Sequence, residues 1–350
     1  MNLVNEEKFK TAKNGKLISL YTLKNASGMA AQITNLGGVI VSIFVPDKKG
    51  KSEDVVQGYD TGEEYLARNQ YYYGAICGRC ANRIRDGKFV LDGKEHQLAQ
   101  NAGTAHLHGG VEGFDKKIWN VVSASSSQLV LELRSADGEE NYPGNLKVTV
   151  VYALNEKNEL RLDYLALADK PTLVNLAAHS YFNLAGAGSG NIYKQKLQLN
   201  ADFITPMAPD CVPTGEIISV KKSPFDFTKL TPFGKGIKAF HRQIKLGRGF
   251  DHNFVLNHRP GSLEKAAVAH DAASGRQLEI STTLPGIQLY TANWVKDEIG
   301  KAGKTYKKQW AFCLETQYFP DAANHAHFPS NIFTPEHPYK HSTVYKFSIK

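Results

Sequence analysis

The sequence predicts an all-β protein, a large antiparallel β-sandwich with few short helices. Alternating apolar and polar residues are typical of strands with one buried face, and the clearest such runs cover 128–135, 146–154, 159–167, 194–203, 276–283 and 343–349. Asp-Gly and Pro-Gly pairs punctuate the sequence and favour tight turns. Helical patterns are limited to 61–68 and 236–244. Since no linker or repeat interrupts the chain, we expect residues 1–350 to form a single domain of two packed sheets.

Composition and charge restrict the class of protein. Hydrophobic residues make up 42% of the chain and charged residues 22%, which is typical of a soluble globular protein with a substantial core. The net charge is +8, but the lysines lie singly or in pairs, so we expect no nucleic-acid partner. No apolar run approaches the roughly 18 residues of a membrane helix, and residues 1–16 are polar. The sequence therefore predicts no membrane partner and a cytoplasmic location.

Residues 74–84, GAICGRCANRI, contain a C-x-x-C formed by Cys77 and Cys80. A redox motif of this type needs a helix directly after it, and a zinc ribbon needs a second cysteine pair. The following residues instead alternate with two Asp-Gly turns, which predicts strands. We therefore expect the cysteines to be small side chains in a β segment. The neighbouring Asn82 and Arg83 are the candidate functional residues.

A histidine and a carboxylate interrupt two apolar segments. His179 lies in LAAHSYFNL and Glu315 lies in AFCLETQYF. Each residue alone has a structural interpretation, as a hydrogen-bonded core histidine or as one half of a salt bridge. Together they form an acid and a base that can act on a neutral substrate. Aromatic and amide side chains in the same segments suit a sugar, which has an apolar face and a hydroxyl rim.

A second pair of histidines, His106 and His108, offers an alternative chemistry. Residues i and i+2 of a strand face the same side, so this H-x-H is a candidate metal site of the cupin type, with Glu112 as a further ligand. Gly109-Gly110 directly after the pair indicates a turn instead. The metal site stays an alternative at this point.

Seven segments resemble the aldose 1-epimerase (galactose mutarotase) family, in the family's order and over nearly the whole chain. They are NLGGVIVSIFVPD (35–47), GRCANRI (78–84), HLHGGVEGFDK (106–116), HSYFNLAG (179–186), FDHNFVL (250–256), LPGIQLYTANW (284–294) and LETQYFPDAAN (314–324). The resemblance implies a galactose mutarotase-like β-sandwich that interconverts the α and β anomers of free aldohexoses such as galactose and glucose. It also implies a small-molecule sugar as partner, no cofactor and no metal. Either a monomer or a homodimer fits the family.

The resemblance also implies roles for individual residues. The family's catalytic base falls on Glu315 and its catalytic acid on His179. Its substrate-binding residues fall on Asn82, Arg83, His108, Asp251 and Gln288. The chain departs from the family at the two residues before the catalytic histidine. In the family the second of these two residues is commonly Asn, whereas this chain has Ala177-Ala178. That change bears on substrate preference more than on the reaction.

The implied mechanism needs an ionised Glu315 and a protonated His179. Unperturbed pKa values of about 4.3 for Glu and about 6.5 for His give these forms near and below neutrality. Two other functions remain open. A hexose-6-phosphate epimerase requires a cluster of Arg or Lys at the phosphate, for which Arg79, Arg85 and Lys304 are available. A non-catalytic sugar-binding module would keep the pocket without turnover.

Overall fold

Strands dominate the computed structural model, which describes residues 1–350. The strands are β1 Thr11–Lys13, β2 Lys16–Ile18, β3 Leu20–Lys24, β4 Ala30–Thr34, β5 Ile40–Pro46, β6 Ser52–Asp54, β7 Ile76–Cys77, β8 Arg83–Ile84, β9 Lys88–Leu91, β10 Lys94–Gln97, β11 His106–Leu107, β12 Asn120–Ala124, β13 Gln128–Ser135, β14 Leu146–Leu154, β15 Glu159–Ala168, β16 Thr172–Leu173, β17 Ala177–Ala178, β18 Lys196–Leu199, β19 Ala201–Thr205, β20 Ile218–Ser219, β21 Thr231–Pro232, β22 Asp251–Leu256, β23 Glu264–His270, β24 Arg276–Thr282, β25 Gly286–Tyr290, β26 Glu298–Ile299, β27 Thr305–Tyr306, β28 Cys313–Gln317, β29 Ile332–Phe333 and β30 Tyr339–Ile349. Three short helices accompany them, α1 Gly62–Arg68, α2 Phe233–Ile237 and α3 Arg242–Gly247.

Three antiparallel sheets make up most of the fold. The largest has nine strands in the order β12-β13-β14-β15-β30-β24-β23-β18-β21. A five-stranded sheet has the order β20-β19-β22-β25-β28, and a four-stranded sheet has the order β3-β4-β5-β6. The pairing within them is antiparallel throughout. The predicted all-β sandwich is therefore confirmed.

The main hydrophobic core joins the three sheets. Its 57 buried residues include Leu131 from the nine-stranded sheet, Ile287 from the five-stranded sheet and Ile33 from the four-stranded sheet. Every second residue of β14 is buried, which is the burial pattern that the alternating sequence predicts. Full burial of one such aliphatic side chain contributes about 1.5–3 kcal/mol, so the alternation fixes which face of each strand packs inward.

Two sequence predictions differ from the structure in their boundaries. The run 194–203 is divided at Asn200, because β18 belongs to the nine-stranded sheet and β19 to the five-stranded sheet. The Asn200 N–H donates to the Ala266 carbonyl oxygen, 2.9 Å away, at this crossing between sheets. The predicted helix 236–244 is wrong as one element. His241 has extended backbone there, and its ring Nδ1 accepts from the Gln243 N–H, so α3 starts anew after α2.

Helix α1 begins as the sequence predicts. Thr61 is its N-cap, and the Thr61 side chain accepts a hydrogen bond from the Glu64 N–H. None of the helices has the length and apolar character required to cross a membrane.

Candidate active site

Three neighbouring strands of the five-stranded sheet form one wall of the candidate site. Gln288 on β25 is paired with Asn253 on β22 and with Glu315 on β28. Two residues further along β25, Tyr290 is paired with Asp251. Since residues two apart on a strand share a face, the side chains of these five residues lie on the same side of the sheet.

The opposite wall comes from two loops that are locked together. The Asn82 N–H donates to His108 Nδ1 at 3.2 Å, and the His108 N–H donates to the Asn82 carbonyl oxygen at 3.1 Å. A Cβ at Gly109 would lie 1.8 Å from the Gly78 carbonyl oxygen, so glycine is required for the two loops to approach this closely. The double glycine therefore ends the strand and positions His108.

These elements enclose a cavity of about 220 Å³. Six of the seven predicted site residues line it together with seven others; the full lining is Gln70, Tyr71, Tyr72, Asn82, Arg83, Leu107, His108, His179, Tyr181, Asp251, Tyr290, Trp294 and Glu315. The seventh predicted residue, Gln288, is not among them. Gln288 lies behind the lining residues, where its Nε2 donates a hydrogen bond of 2.7 Å to Asp251 Oδ1.

His179 and Glu315 face each other inside the cavity. The distance between His179 Nε2 and Glu315 Oε1 is 3.6 Å, and the two residues are only 4% and 2% exposed. His179 Nδ1 and Glu315 Oε2 have no protein partner. Both residues line the cavity, so the pair can act on a molecule that enters it.

Burial favours the neutral form of both groups. Removal from water raises the pKa of Glu315 well above its usual range, and the nearby Asp251 carboxylate raises it further. Burial also lowers the pKa of His179 to about 4. In the free site the proton therefore resides on Glu315, and both groups are neutral rather than the carboxylate and imidazolium that the mechanism needs. The pair still holds one proton in total.

A polar network behind the wall involves residues that the sequence analysis missed. Gln317 Oε1 accepts from Asn82 Nδ2 at 3.3 Å, and Gln317 Nε2 donates to Gln288 Oε1 and Asn253 Oδ1, each at 3.2 Å. Gln317 lies two residues after Glu315, so strand alternation alone placed it on the same face. The network fixes the orientation of Asn82 relative to the sheet.

The sequence analysis also missed aromatic residues that lie shortly before the GRCANRI segment (78–84). Tyr72 lies 4.6 Å from His108 and 6.1 Å from His179 between ring centroids. The signal was the run of three tyrosines after Gln70, which exceeds what strand packing needs. At the mouth of the cavity the Arg248 guanidinium lies over the Trp294 ring at 4.1 Å, and Trp294 is 38% exposed.

The same cavity contains a possible set of metal ligands. Ligand atoms of His108, His179 and Glu315 lie within 4.8 Å of one another. A histidine that binds a metal through one nitrogen usually donates a proton from the other. Here His108 Nδ1 accepts a hydrogen bond, and His179 Nδ1 has no partner. The hydrogen bonding around the two rings therefore suits proton transfer better than metal binding.

His106 does not act together with His108. Strand β11 ends at Leu107, and His108 adopts a left-handed backbone with φ of 51°. His106 Nδ1 bonds to the Ala99 carbonyl oxygen and His106 Nε2 to the Tyr142 hydroxyl, each at 2.7 Å. With both ring nitrogens occupied, His106 has a structural role, and the cupin-like alternative is wrong in its ligand pair.

The C-x-x-C is structural as well. Cys77 and Cys80 are free thiols in different hydrophobic clusters. Burial raises the pKa of Cys77 well above its usual range and that of Cys80 to about 12, so neither thiol is reactive at neutral pH.

The cations required for a sugar phosphate do not converge on the cavity. Arg79 is buried and donates to backbone oxygens of Pro143 and Gly144, and Arg85 pairs with Asp210. Neither these arginines nor Lys304 lines the cavity, where Arg83 is the single Arg or Lys. The hexose-6-phosphate alternative therefore lacks its phosphate cluster.

The departure at Ala177-Ala178 lies outside the lining. Ala177 packs with Cys77 and Ala81, and Ala178 belongs to the main core. Both alanines therefore pack in hydrophobic clusters and do not line the cavity.

A sandwich that encloses a buried carboxylate and imidazole in a small cavity is typical of an enzyme that works by acid–base catalysis. Comparisons with known proteins agree. The sequence model of the family described as aldose 1-epimerase matches residues 19–346. Galactose mutarotases of Bos taurus and Homo sapiens are 47% and 44% identical over 324 residues, 92% of each chain. An aldose epimerase homologue from C. elegans has a TM-score of 0.88 and 30% identity, covering 95% of this chain and 99% of its own. The chain belongs to the aldose 1-epimerase family, whose members are carbohydrate isomerases.

Proposed function

We propose that this protein interconverts the α and β anomers of free aldohexoses such as galactose and glucose, with Glu315 as base and His179 as acid. The observation that carries the proposal is the 3.6 Å approach of these two buried groups inside the cavity. A base for the C1 hydroxyl and an acid for the ring oxygen are the two groups that ring opening needs.

In the proposed reaction, Glu315 removes the proton of the C1 hydroxyl while His179 donates a proton to the ring oxygen O5. The C1–O5 bond breaks, and C1 becomes an aldehyde. Rotation about C1–C2 presents the other face of the carbonyl to O5. The same two groups then reverse their transfers and close the ring. No net proton or electron is consumed, so this scheme uses neither a cofactor nor a metal.

The proton must move from Glu315 to His179 before the ring opens. Two opposite charges about 4 Å apart attract by about 4 kcal/mol at an effective dielectric of 20. That attraction equals about a thousandfold in an equilibrium constant. It opposes the cost of the transfer, which is set by the fall in the pKa of His179 to about 4 together with the rise in the pKa of Glu315. Hydrogen bonds from a sugar held between the two groups would stabilise the charged pair further.

The other predicted residues are proposed to hold the sugar. Asn82, Arg83 and His108 offer hydrogen-bond donors to the cavity, and Asp251 offers a carboxylate acceptor. Gln288 acts through Asp251, whose Oδ1 it holds at 2.7 Å. A wall with both donors and acceptors matches the hydroxyl rim of an aldohexose.

Polarimetry of freshly dissolved α-D-galactose and α-D-glucose tests the activity, with a chelator present. We expect a faster approach to equilibrium than in buffer alone, with an unchanged endpoint. Activity lost with the chelator would favour a metal enzyme, and sugar binding without turnover would favour a binding module.

The roles of the catalytic pair are tested by Glu315→Gln and His179→Asn. Each is expected to lower kcat by about 10²–10⁴-fold, the usual contribution of a positioned acid or base. Glu95→Gln and His337→Asn, at exposed positions, are the matched controls and should keep full activity. Circular dichroism checks folding, and near-normal turnover in either site variant would refute the assignment.

Three broader features of the molecule are also proposed. The core that joins the three sheets fits a single catalytic domain over 1–350. Four free cysteines fit the reducing cytoplasm. A monomer or a homodimer is equally compatible, and light scattering on the purified protein distinguishes them.

A further inference from the structure

The positive charge of the molecule is concentrated in the segment that joins β20 to β22. Residues 220–250 contain eight basic residues and one acidic residue, Asp226, so they carry +7 of the chain's net charge of +8. The eight basic residues are Lys221, Lys222, Lys229, Lys235, Lys238, Arg242, Lys245 and Arg248. All eight are exposed, and none of them forms an ion pair with a carboxylate. Unpaired charge of one sign on one segment attracts ligands of the opposite sign.

Strand β18 adds two more cations beside this segment. Lys196 is paired with Pro232 of β21, and the Gln198 Nε2 donates to the Thr228 carbonyl oxygen at 3.1 Å. Lys194 and Lys196 are both exposed. Neither of them forms an ion pair. The fold therefore extends the basic surface beyond the segment itself.

Three lysines of the segment line one cavity. The cavity measures about 590 Å³ and is lined by Lys222, Ser223, Pro224, Asp226, Thr228, Lys229, Thr231, Lys235, Gly236 and Ala239. Asp226 is the one acidic residue in this lining. The lining shares no residue with that of the catalytic cavity, so the two are separate sites.

The lining offers charge rather than neutral hydrogen-bond donors. The hydroxyls of Ser223 and Thr231 donate to backbone carbonyl oxygens at 2.6 and 2.8 Å. The Thr228 hydroxyl donates to Asp226 Oδ1 at 2.6 Å. Because these hydroxyl protons are already used, the three lysine ammonium groups are the side-chain donors that remain for a ligand.

Three ammonium groups around one cavity suit a phosphate chain better than a carboxylate. Lysine binds phosphate as a point charge, whereas carboxylates are matched best by the planar fork of arginine. No arginine lines the cavity. A chain of two or three phosphates carries several negative charges over a short length, so it can reach more than one lysine at once.

An aromatic ring lies next to the cavity in the chain. Phe240 directly follows Ala239, which lines the cavity, and the Phe240 side chain is fully exposed. A large apolar ring in water has no packing partner, and a nucleic-acid base can stack on such a ring. The position of Phe240 therefore suits a ligand that carries a base as well as phosphates.

We propose that the cavity lined by Lys222, Lys229 and Lys235 binds a phosphate chain, either that of a nucleoside triphosphate or an inorganic polyphosphate. The other cations of residues 220–250 raise the positive potential around it. The site does not depend on the catalytic pair, so it adds a second class of ligand to a protein that acts on neutral sugars.

Isothermal titration calorimetry tests the site with three probes in 50 mM NaCl and a chelator. The probes are adenosine triphosphate, inorganic tripolyphosphate and inorganic phosphate. Each triphosphate is expected to bind with one-to-one stoichiometry and at least about tenfold more tightly than inorganic phosphate, which cannot reach several lysines. Higher salt should weaken the binding, since the site is exposed to solvent.

Two triple variants separate the cavity from the net charge. Lys222→Gln, Lys229→Gln and Lys235→Gln together are expected to weaken tripolyphosphate binding by at least about tenfold. Lys16→Gln, Lys24→Gln and Lys94→Gln together remove the same charge from exposed lysines elsewhere and should keep the Kd within about twofold. The charges of the two variants are matched, so a difference between them locates the ligand.

Asp226→Asn tests the same cavity in the opposite direction. It removes the one negative charge of the lining and keeps an oxygen for the Thr228 hydroxyl. Tripolyphosphate binding should become about threefold tighter. Circular dichroism and the mutarotation of galactose should be unchanged in every variant, because none of these residues lines the catalytic cavity.

Phe240→Ala distinguishes the two sources of the phosphate chain. If the ligand is a nucleotide, this change lowers the affinity for adenosine triphosphate about tenfold, the contribution of one stacked base, and leaves tripolyphosphate unaffected. Equal affinity for adenosine triphosphate in both proteins identifies the inorganic chain as the ligand.

Two results would overturn the proposal. One is that neither triphosphate binds more tightly than inorganic phosphate. The other is that both triple variants weaken binding equally, which would show that net charge alone attracts the probes. A wild-type protein without mutarotase activity would contradict the proposed function and not this site, because calorimetry measures binding without turnover.

Discussion

Glu315 illustrates what one residue can reveal in a sequence. All five residues of β28 are buried, so both faces of the strand should be apolar, and a carboxylate among them is conspicuous. His179 is conspicuous for the same reason. The sequence does not reveal how far each is buried, because that depends on loops distant in the chain. The sequence therefore indicates the two residues, which come together as the resemblance implied, but not which of them holds the proton.

The pH dependence of catalysis follows from the single titratable proton that Glu315 and His179 hold between them. Below the His179 pKa of about 4 both groups are protonated, and no base is available. Above the raised pKa of Glu315 both have lost their protons, and no acid is available. We expect a bell-shaped kcat profile whose acid limb lies near pH 4 and whose alkaline limb lies well above the usual range of a glutamate. Polarimetry across pH, with the buffer rate subtracted, checks this. An alkaline limb near pH 6.5 would instead indicate that His179 titrates as in water.

Trp294 gives a second prediction at the scale of a residue. Its half-exposed ring, held by Arg248, forms the aromatic part of the cavity mouth. Trp294→Ala should raise KM for galactose about two- to tenfold and leave kcat little changed. This factor corresponds to the loss of about 0.5–1.5 kcal/mol of binding free energy, the usual contribution of an aromatic contact. Trp310→Ala is the matched control because Trp310 also lies beside a cation, Lys307, but does not line the cavity. An unchanged KM in Trp294→Ala would exclude contact with the sugar.

At the scale of elements, strands were predicted better than the segments between them. Strands β13 and β14 coincide with their alternating runs. Each strand is buried on one face only, so apolar residues recur at every second position of its sequence. The tyrosines at 71–73 belong to no such element, and no period marks them. Gln317 follows the same alternation as Glu315, but the sequence analysis assigned a role only to the carboxylate and missed the amide two residues later.

The loop that ends at Asp115 gives a prediction on stability. The folded-state pKa of about 6 lies above the ordinary value of 3.8, so the folded state is penalised once Asp115 ionises. The penalty is absent below pH 3.8 and complete above pH 6, where it is about 3 kcal/mol. Asp115→Asn should therefore raise the free energy of unfolding by up to this amount at pH 8 and leave it unchanged near pH 3.5.

Thermal melts at the two pH values measure the difference for Asp115→Asn. Glu95→Gln, an exposed carboxylate that does not act on Asp115, is the control and should have little effect at either pH. Equal stabilisation at both pH values would indicate an effect of shape rather than of charge.

At the scale of the whole molecule, the sequence predicted the architecture because its seven segments and its alternating runs cover the entire chain. It did not predict how the sheets connect. The crossing at Asn200 lies within a single apolar–polar run, and nothing local distinguishes its two halves. The position of Gln288 behind Asp251 likewise depends on the depth of the cavity, which periodicity does not encode.

The continuous core predicts how the molecule unfolds. The 57-residue cluster draws on all three sheets, so none of them can lose its packing without exposing the others. We expect a single calorimetric transition in which the calorimetric and van't Hoff enthalpies agree, as for one cooperative domain. Galactose at about 100 times its Kd should add about 2.7 kcal/mol to the free energy of unfolding and shift the entire transition to a higher temperature. Two resolved transitions would show separate folding units and contradict a single domain. A galactose shift of only part of the transition would contradict it as well, because the sugar would then stabilise only the unit that contains Glu315 and His179.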